Sequence, residues 1–196
     1  KISLANPVPV PGVEGVTIKS GEINGSYVHN QQWSVTGNLV VNARDWVEAD
    51  ITATYTQPAG EGGAAAPAQW ELRGMLRQLQ AYTVGEGENQ LAFENGELDF
   101  HFKNGEFLQV AARTDYTTTN WQGRLTGTFN VPQSKLTATG TINLRPPELP
   151  IGTGGIKFTR VAAVATITDN VLEQITGGAT VVFPYQDQST FKLDGT

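Results

Sequence analysis

WSVTGNLVVNARDWVEADITATY, residues Trp33 to Tyr55, alternates apolar and polar residues in two runs joined by a short loop. This period of two is typical of β-strands with one apolar and one polar face. A three-residue loop at Arg44–Trp46 puts Ala43 opposite Val47. The same register sets Val41 opposite Ala49, Leu39 opposite Ile51 and Val35 opposite Tyr55. The stretch therefore predicts a hairpin with all its apolar residues on one face.

Three more segments continue this pattern on either side. A loop at Val28 to Gln32 sets Tyr27 opposite Trp33. Asn104-Gly105 is a strong hairpin signal, and a three-residue loop ending at Gly105 pairs Phe100 with Leu108 and Leu98 with Val110. A four-residue loop at Pro132 to Lys135 sets Val131 opposite Leu136, Phe129 opposite Ala138, Gly127 opposite Gly140 and Leu125 opposite Ile142.

The segment at 67–84 fits two kinds of element. Leu72, Met75, Leu76 and Leu79 fit one face of a helix, whereas Trp70, Leu72, Gly74 and Leu76 fit a strand. Glycine inside a helix is unfavourable by about 1 kcal/mol relative to alanine. We favour the strand because the flanking segments are strands.

Proline and glycine mark the segment boundaries. Residues 1–15 are rich in proline and predict an extended arm or linker, while 16–196 predict a single antiparallel β domain with a sub-boundary at 145–155. Beyond it, Ile156–Thr168 and Val171–Phe183 flank a turn at Asp169-Asn170. The first of these strands is apolar on both faces, so we expect this hairpin to cross or plug the main sheet.

Together these segments predict an all-β fold. We expect an antiparallel meander of about ten to twelve strands that forms a sandwich or an up-and-down barrel, with at most one short helix.

Composition narrows the classes of function. The net charge of −6, with 13 Lys and Arg and no cluster of them, argues against a nucleic-acid or anionic-membrane partner. The chain of 196 residues has no cysteine, which excludes disulfides and thiol chemistry. No apolar run is long enough to span a membrane and no signal peptide is present. We interpret the chain as a mature form or an excised piece of a longer, extracellular, periplasmic or surface protein.

Few residues suggest catalysis, and we predict no catalytic, metal or cofactor site. His29 lies in a predicted loop. His101 and Asp99 form an Asp-x-His pair, which could supply two ligands of a metal site. No third ligand has a matching spacing. Four carboxylates lie close in sequence: Glu94, Glu97, Asp99 and Glu106. They resemble a glycosidase pair or a calcium site. Charges beside hairpin turns are, however, typical of protected strand edges.

Aromatic residues are the candidate contacts for a ligand or partner. Trp46 falls at a hairpin tip, where an indole either tucks under a neighbouring loop or stays exposed for binding. Tyr27, Trp33 and Trp121 lie on or beside predicted strands.

Two predicted strands share a sequence pattern that resembles a known class of protein. Val35-Thr-Gly-Asn-Leu39-Val-Val41 and Leu125-Thr-Gly-Thr-Phe129-Asn-Val131 share the pattern V/L-T-G-x-L/F-x-V. Over Gly21 to Leu144 this resembles the Gly/Thr-rich β-repeat regions of large bacterial surface proteins and of secreted or injection-system-associated toxins. The resemblance implies a non-catalytic scaffold within a large assembly.

Three hypotheses of function follow. The first is a non-enzymatic structural or interaction module with a protein partner or self-association. The second is a carrier that holds an apolar small molecule in a barrel or open trough. The third, a carbohydrate-active protein, depends only on the carboxylates.

Overall fold

A computed structural model of the chain describes residues 2–4, 6–10, 14–28, 32–58, 67–87, 90–184 and 190–195, with the backbone alone at 2, 3, 28, 32, 33 and 58. Within these ranges the chain is all-β, as predicted, and contains no α-helix. The segment at 67–84 is extended, which confirms the preference for a strand. The strands are β1 Ile2–Ser3, β2 Val8–Pro9, β3 Val16–Val28, β4 Gln32–Ala43, β5 Val47–Pro58, β6 Gln69–Gln78, β7 Tyr82–Val84, β8 Leu91–Lys103, β9 Glu106–Thr117, β10 Trp121–Asn130, β11 Lys135–Leu144, β12 Leu149–Ile151, β13 Ile156–Thr168, β14 Val171–Val182 and β15 Thr190–Gly195.

These strands form one antiparallel sheet that is not closed into a barrel. The order is β1-β3-β4-β5-β6-β8-β9-β10-β11-β13-β14-β15, with short β2, β7 and β12 added beside β3, β8 and β13. Each long strand therefore pairs with the long strands before and after it in sequence, which confirms the antiparallel meander. The predicted barrel does not form, and the strands belong to one sheet rather than to the two sheets of a sandwich.

The β4–β5 hairpin has the predicted register. Ala43 pairs with Val47 and Val35 with Tyr55, so the loop contains three residues. The side chain of Asn42 explains this loop, because its Oδ1 accepts a hydrogen bond of 3.1 Å from the backbone N–H of Asp45. The predicted pairing of Tyr27 with Trp33 is also confirmed.

The β8–β9 turn is shorter than predicted. Only Asn104 and Gly105 lie between the strands, and their φ angles of 50° and 97° are those of a tight hairpin turn. The predicted three-residue loop is therefore wrong. The two-residue turn places Phe107 opposite Phe102 and brings their rings to a centroid distance of 4.8 Å.

The β10–β11 loop has the predicted length in a different place. It occupies residues 131–134 rather than Pro132 to Lys135. The pairing consequently moves by two residues, and Thr126 Oγ1 contacts the carbonyl of Thr139. A shift of two preserves both faces, so the alternation could not distinguish the two registers.

The last large hairpin continues the sheet instead of crossing it. Its turn is Asp169-Asn170, as predicted, but β13 pairs with β11 on one side and with β14 on the other. The prediction that both faces are buried is also wrong, because Val164 is 38% exposed and Ile175 is 54% exposed.

By its contacts the chain divides into two compact units. Unit 1 comprises Lys1–Gln80, Glu97–Ala111 and Asn130–Gln133, and unit 2 comprises Ala81–Gly96, Ala112–Phe129 and Ser134–Thr196. The domain limits predicted from sequence, at 1–15 and 145–155, stay predictions.

Neither unit has a substantial core within the ranges that the structure describes. The buried residues there are Asn42, Gly74 and Val181. A β-sheet with an apolar face normally buries that face against another layer. Because few residues are buried here, the apolar faces are the candidate functional surfaces.

Candidate functional site

The unit 2 apolar face is formed by alternate residues of β11, β13, β14 and β15. The strand registers align Gly140 with Ala165 and Ile175, and Ala163 with Gly177. The face comprises Ala138, Gly140 and Ile142 on β11, Phe158, Val161, Ala163, Ala165 and Ile167 on β13, Leu172, Ile175, Gly177, Ala179 and Val181 on β14, and Phe191 and Leu193 on β15.

Small residues form the middle of this face and larger residues surround them. Gly140, Ala163, Ala165, Gly177 and Ala179 are neighbours across three strands. The larger residues near the end of the sheet are open to solvent, with Ile175 54%, Phe191 54% and Leu193 50% exposed. The result is an apolar surface with a shallow floor.

The unit 1 apolar face is built in the same way from β3 to β6 and β8. Gly21, Leu39, Ile51, Gly74 and Phe100 form one row across five strands. The Phe100 ring lies over Gly74 in the space that a β-carbon would fill. This cross-strand contact explains why Gly74 is buried.

Larger apolar residues line the same unit 1 face. Trp70 packs on Phe102 with ring centroids 4.9 Å apart. Ile23 is 51% exposed and Tyr27 is 68% exposed. The apolar surface of unit 1 therefore also remains open where it reaches the outer strands.

The opposite face of unit 1 carries paired charges. Lys19 Nζ lies 2.8 Å from Glu48 Oε2, and Arg73 Nε lies 2.7 Å from Glu71 Oε1. These hydrogen bonds lower the pKa of both carboxyl groups. His101 Nε2 also lies 2.8 Å from Glu71 Oε1, although the two atoms are not aligned for a hydrogen bond.

In unit 2 a group of charged and polar side chains is centred on Asp115. Arg124 donates to both carboxylate oxygens, through Nε at 2.6 Å and an Nη at 3.1 Å, and Asn95 donates at 3.0 Å. These hydrogen bonds from Arg124 and Asn95 hold the pKa of Asp115 at about 2, against an ordinary value of 3.8. Arg124 thus neutralises the charge of Asp115.

A second polar contact joins β9 to β11. The hydroxyl of Tyr116 donates a hydrogen bond of 2.8 Å to the carbonyl of Thr141, and burial raises the pKa of Tyr116. Gly123 permits this contact, because a β-carbon there would collide with the same carbonyl.

The predicted aromatic contacts belong to strands and turns of both units. Tyr27 and Trp33 are opposite each other at one end of β4, and Trp46 follows the other end of that strand. Trp46 is 46% exposed, so its indole is not tucked under a loop. Trp121 belongs to unit 2, where its backbone N–H donates to Thr118 Oγ1 at 2.9 Å. The side chain of Trp33 lies outside the described part of the chain.

The predicted Asp-x-His pair and carboxylates lie along paired strands. Asp99 pairs with Met75, His101 with Arg73 and Glu97 with Arg77. Asp99 and His101 contribute to the wall of a groove of about 410 Å³ that also includes Arg73. The described residues hold no group of three or more His, Asp or Glu side chains placed to bind a metal. His29 is outside the described residues.

Sequence reasoning missed two features. The cluster of Trp70, Phe102 and Phe107 follows from the two-residue Asn-Gly turn, and that turn type was available in the sequence. The Asp115–Arg124 pair had no sequence signal, because it joins β9 to β10 through a register that alternation alone does not fix.

Comparison with known proteins gives no identification: no family model matches the chain, and neither a curated protein nor a solved structure is similar to it. Among the described residues, no helix is long and apolar enough to cross a membrane.

Proposed function

We propose that this chain is a non-enzymatic β module whose apolar sheet faces are binding surfaces. The observation that carries the proposal is the exposure of the apolar faces. Ile23, Ile175 and Phe191 are each more than half exposed on the side of the sheet that alternation predicts to be dry. Exposed apolar surface of this extent is typical of interaction sites.

The first form of this function is a structural or interaction module of a larger secreted or surface assembly. The resemblance of the strand pattern to β-repeat regions supports this form. A protein partner covers the apolar faces and supplies the missing layer. The neutralised charges of the opposite face support this role, because Asp115 and Glu48 are held in ion pairs and are not poised for proton transfer.

The second form is a binding protein for an apolar small molecule, and the small-residue floor of unit 2 favours it. Gly140, Ala163, Ala165 and Gly177 leave room above the sheet that flexible hydrocarbon can fill. Because the sheet is open, such a binding protein would hold its ligand in a trough and not in a barrel.

Dye binding tests the common element of both forms. The folded chain is expected to enhance the fluorescence of 1-anilinonaphthalene-8-sulfonate, and Ile175→Asp is expected to reduce that enhancement at least twofold. Gln174→Asp is the matched control, since Gln174 is exposed and adjacent but lies on the other face. A folded monomer that binds no dye, or equal loss in both variants, contradicts the proposal.

Native mass spectrometry separates the two forms. A bound apolar molecule appears as a mass difference of a few hundred daltons that is lost on denaturation. The interaction module is supported instead if the chain carries no bound ligand and its dye fluorescence falls only when a protein partner is added.

A further inference from the structure

We propose that β15 pairs antiparallel with β15 of a second copy of this chain. β15 is the last strand in the order of the sheet, and all six of its residues, Thr190–Gly195, are exposed. One edge of β15 is bonded to β14 without a bulge, and no strand of the described ranges pairs with its other edge. A regular edge that no described strand covers is a template for another strand.

The opposite end of the sheet is protected by contrast. There β3 is covered by the two-residue strands β1 and β2, and β2 ends in Pro9. Very short strands and proline are typical devices that prevent edge pairing. β15 contains no proline, so the two ends of the sheet are not equivalent.

Side-chain alternation restricts how two β15 strands can pair. Phe191 and Leu193 lie on the apolar face, whereas Lys192 and Asp194 lie on the polar face. Opposed residues of an antiparallel pair project from the same face, so only registers that match odd with odd positions keep both faces consistent.

Charge then selects one register. Centring the two-fold axis on Lys192 or on Asp194 would oppose like charges. Centring it on Leu193 sets Lys192 opposite the second copy's Asp194, twice by symmetry, with Leu193 opposite its own counterpart. Phe191 then faces Gly195, the same aromatic-glycine combination that Phe100 and Gly74 form within the sheet. The geometry points to this closed, two-fold dimer.

Charge reversal tests the pairing by analytical ultracentrifugation. Lys192→Glu opposes two acids, and Asp194→Lys opposes two bases, so each is expected to raise the dimer dissociation constant about tenfold. The double variant restores both pairs with exchanged signs and is expected to recover wild-type dimerisation. Arg160→Glu is the control, because it makes the same charge change on β13 at an exposed position of the polar face.

Cross-linking tests the register, and the chain has no native cysteine to interfere. Leu193→Cys places two thiols opposite each other and is expected to give a disulfide dimer under mild oxidation. Phe191→Cys keeps its two thiols about 13 Å apart and is expected to stay monomeric under denaturing conditions. Circular dichroism verifies that each variant is folded.

Three results would overturn the proposal. They are a monomer at all concentrations, a double charge variant that fails to recover, and equal cross-linking at positions 191 and 193. The last outcome would indicate contact through the apolar face, whereas loss of edge pairing alone leaves the proposed function of the faces untouched.

Discussion

Replacing Asp115 with Asn removes a carboxylate that Arg124 and Asn95 hold in its charged form. The folded pKa of about 2 lies below the ordinary value of 3.8, so the stabilisation is complete above pH 4 and is lost as the pH falls through 2. These two values correspond to about 2.4 kcal/mol at pH 7 and roughly 0.4 kcal/mol at pH 2. Because the Arg124 side chain is 56% exposed, solvent screening reduces the first value to about 1–2 kcal/mol.

Urea unfolding followed by circular dichroism measures this difference at pH 7, 4, 3 and 2. The free energy of unfolding of Asp115→Asn is expected to be lower than that of the parent chain at pH 7, and the two are expected to converge at pH 2. Asp169→Asn is the control: it breaks an ion pair with Lys135, but the Asp169 side chain is 51% exposed, and its effect is expected to stay below about 1 kcal/mol. A pH-independent difference, or one below about 0.5 kcal/mol at pH 7, would refute the reasoning.

Glycine substitutions test the close contacts of the sheet. Gly123→Ala is expected to lower the free energy of unfolding by about 2–4 kcal/mol, because its β-carbon would collide with the Thr141 carbonyl and the β10–β11 pairing would have to separate. Gly25→Ala is its control and is expected to be neutral or slightly stabilising, since the nearest atom to its β-carbon is 4.0 Å away. Gly105→Ala, at φ 97°, is expected to cost about 1–2 kcal/mol. Phe102→Leu is expected to lower stability by about 1 kcal/mol through loss of its aromatic contacts. Thermal denaturation of each variant checks these values, and a Gly123→Ala chain as stable as Gly25→Ala would contradict the packing argument.

The fold class was predictable because hydrophobic alternation acts locally. The β4–β5 hairpin had two constraints, the pattern and the loop length, and both agreed on pairing Ala43 with Val47. The β10–β11 hairpin had the same pattern, and its alternation was equally consistent with a shift of two residues. In the structure Asn130 fixes the turn, because its Oδ1 accepts a hydrogen bond of 3.1 Å from the backbone N–H of Gln133. Alternation thus determines which face a residue occupies, and turn chemistry determines its partner.

The prediction that β13 is buried on both faces failed for a different reason. Apolar residues on both faces indicate that a strand tolerates burial, but they do not supply the layers that would bury it. Val164 is 38% exposed because no other described element covers it. The exposure of the candidate site could not be predicted for the same reason: the sequence identifies the apolar face but not what covers it, and the described residues supply no cover.

The order of the strands has a consequence for how the chain folds and how it changes in evolution. Each long strand pairs with its predecessor and its successor in sequence, so the pairings between long strands all join sequence neighbours. Hairpins can therefore nucleate independently and extend outward, with little entropy lost in closing long loops. The same locality lets a whole hairpin be inserted or deleted while the remaining strands re-pair in the same sense, as in repeat proteins. Inserting or deleting a single residue within a strand has the opposite effect, because without a compensating bulge it turns the later side chains of that strand to the other face.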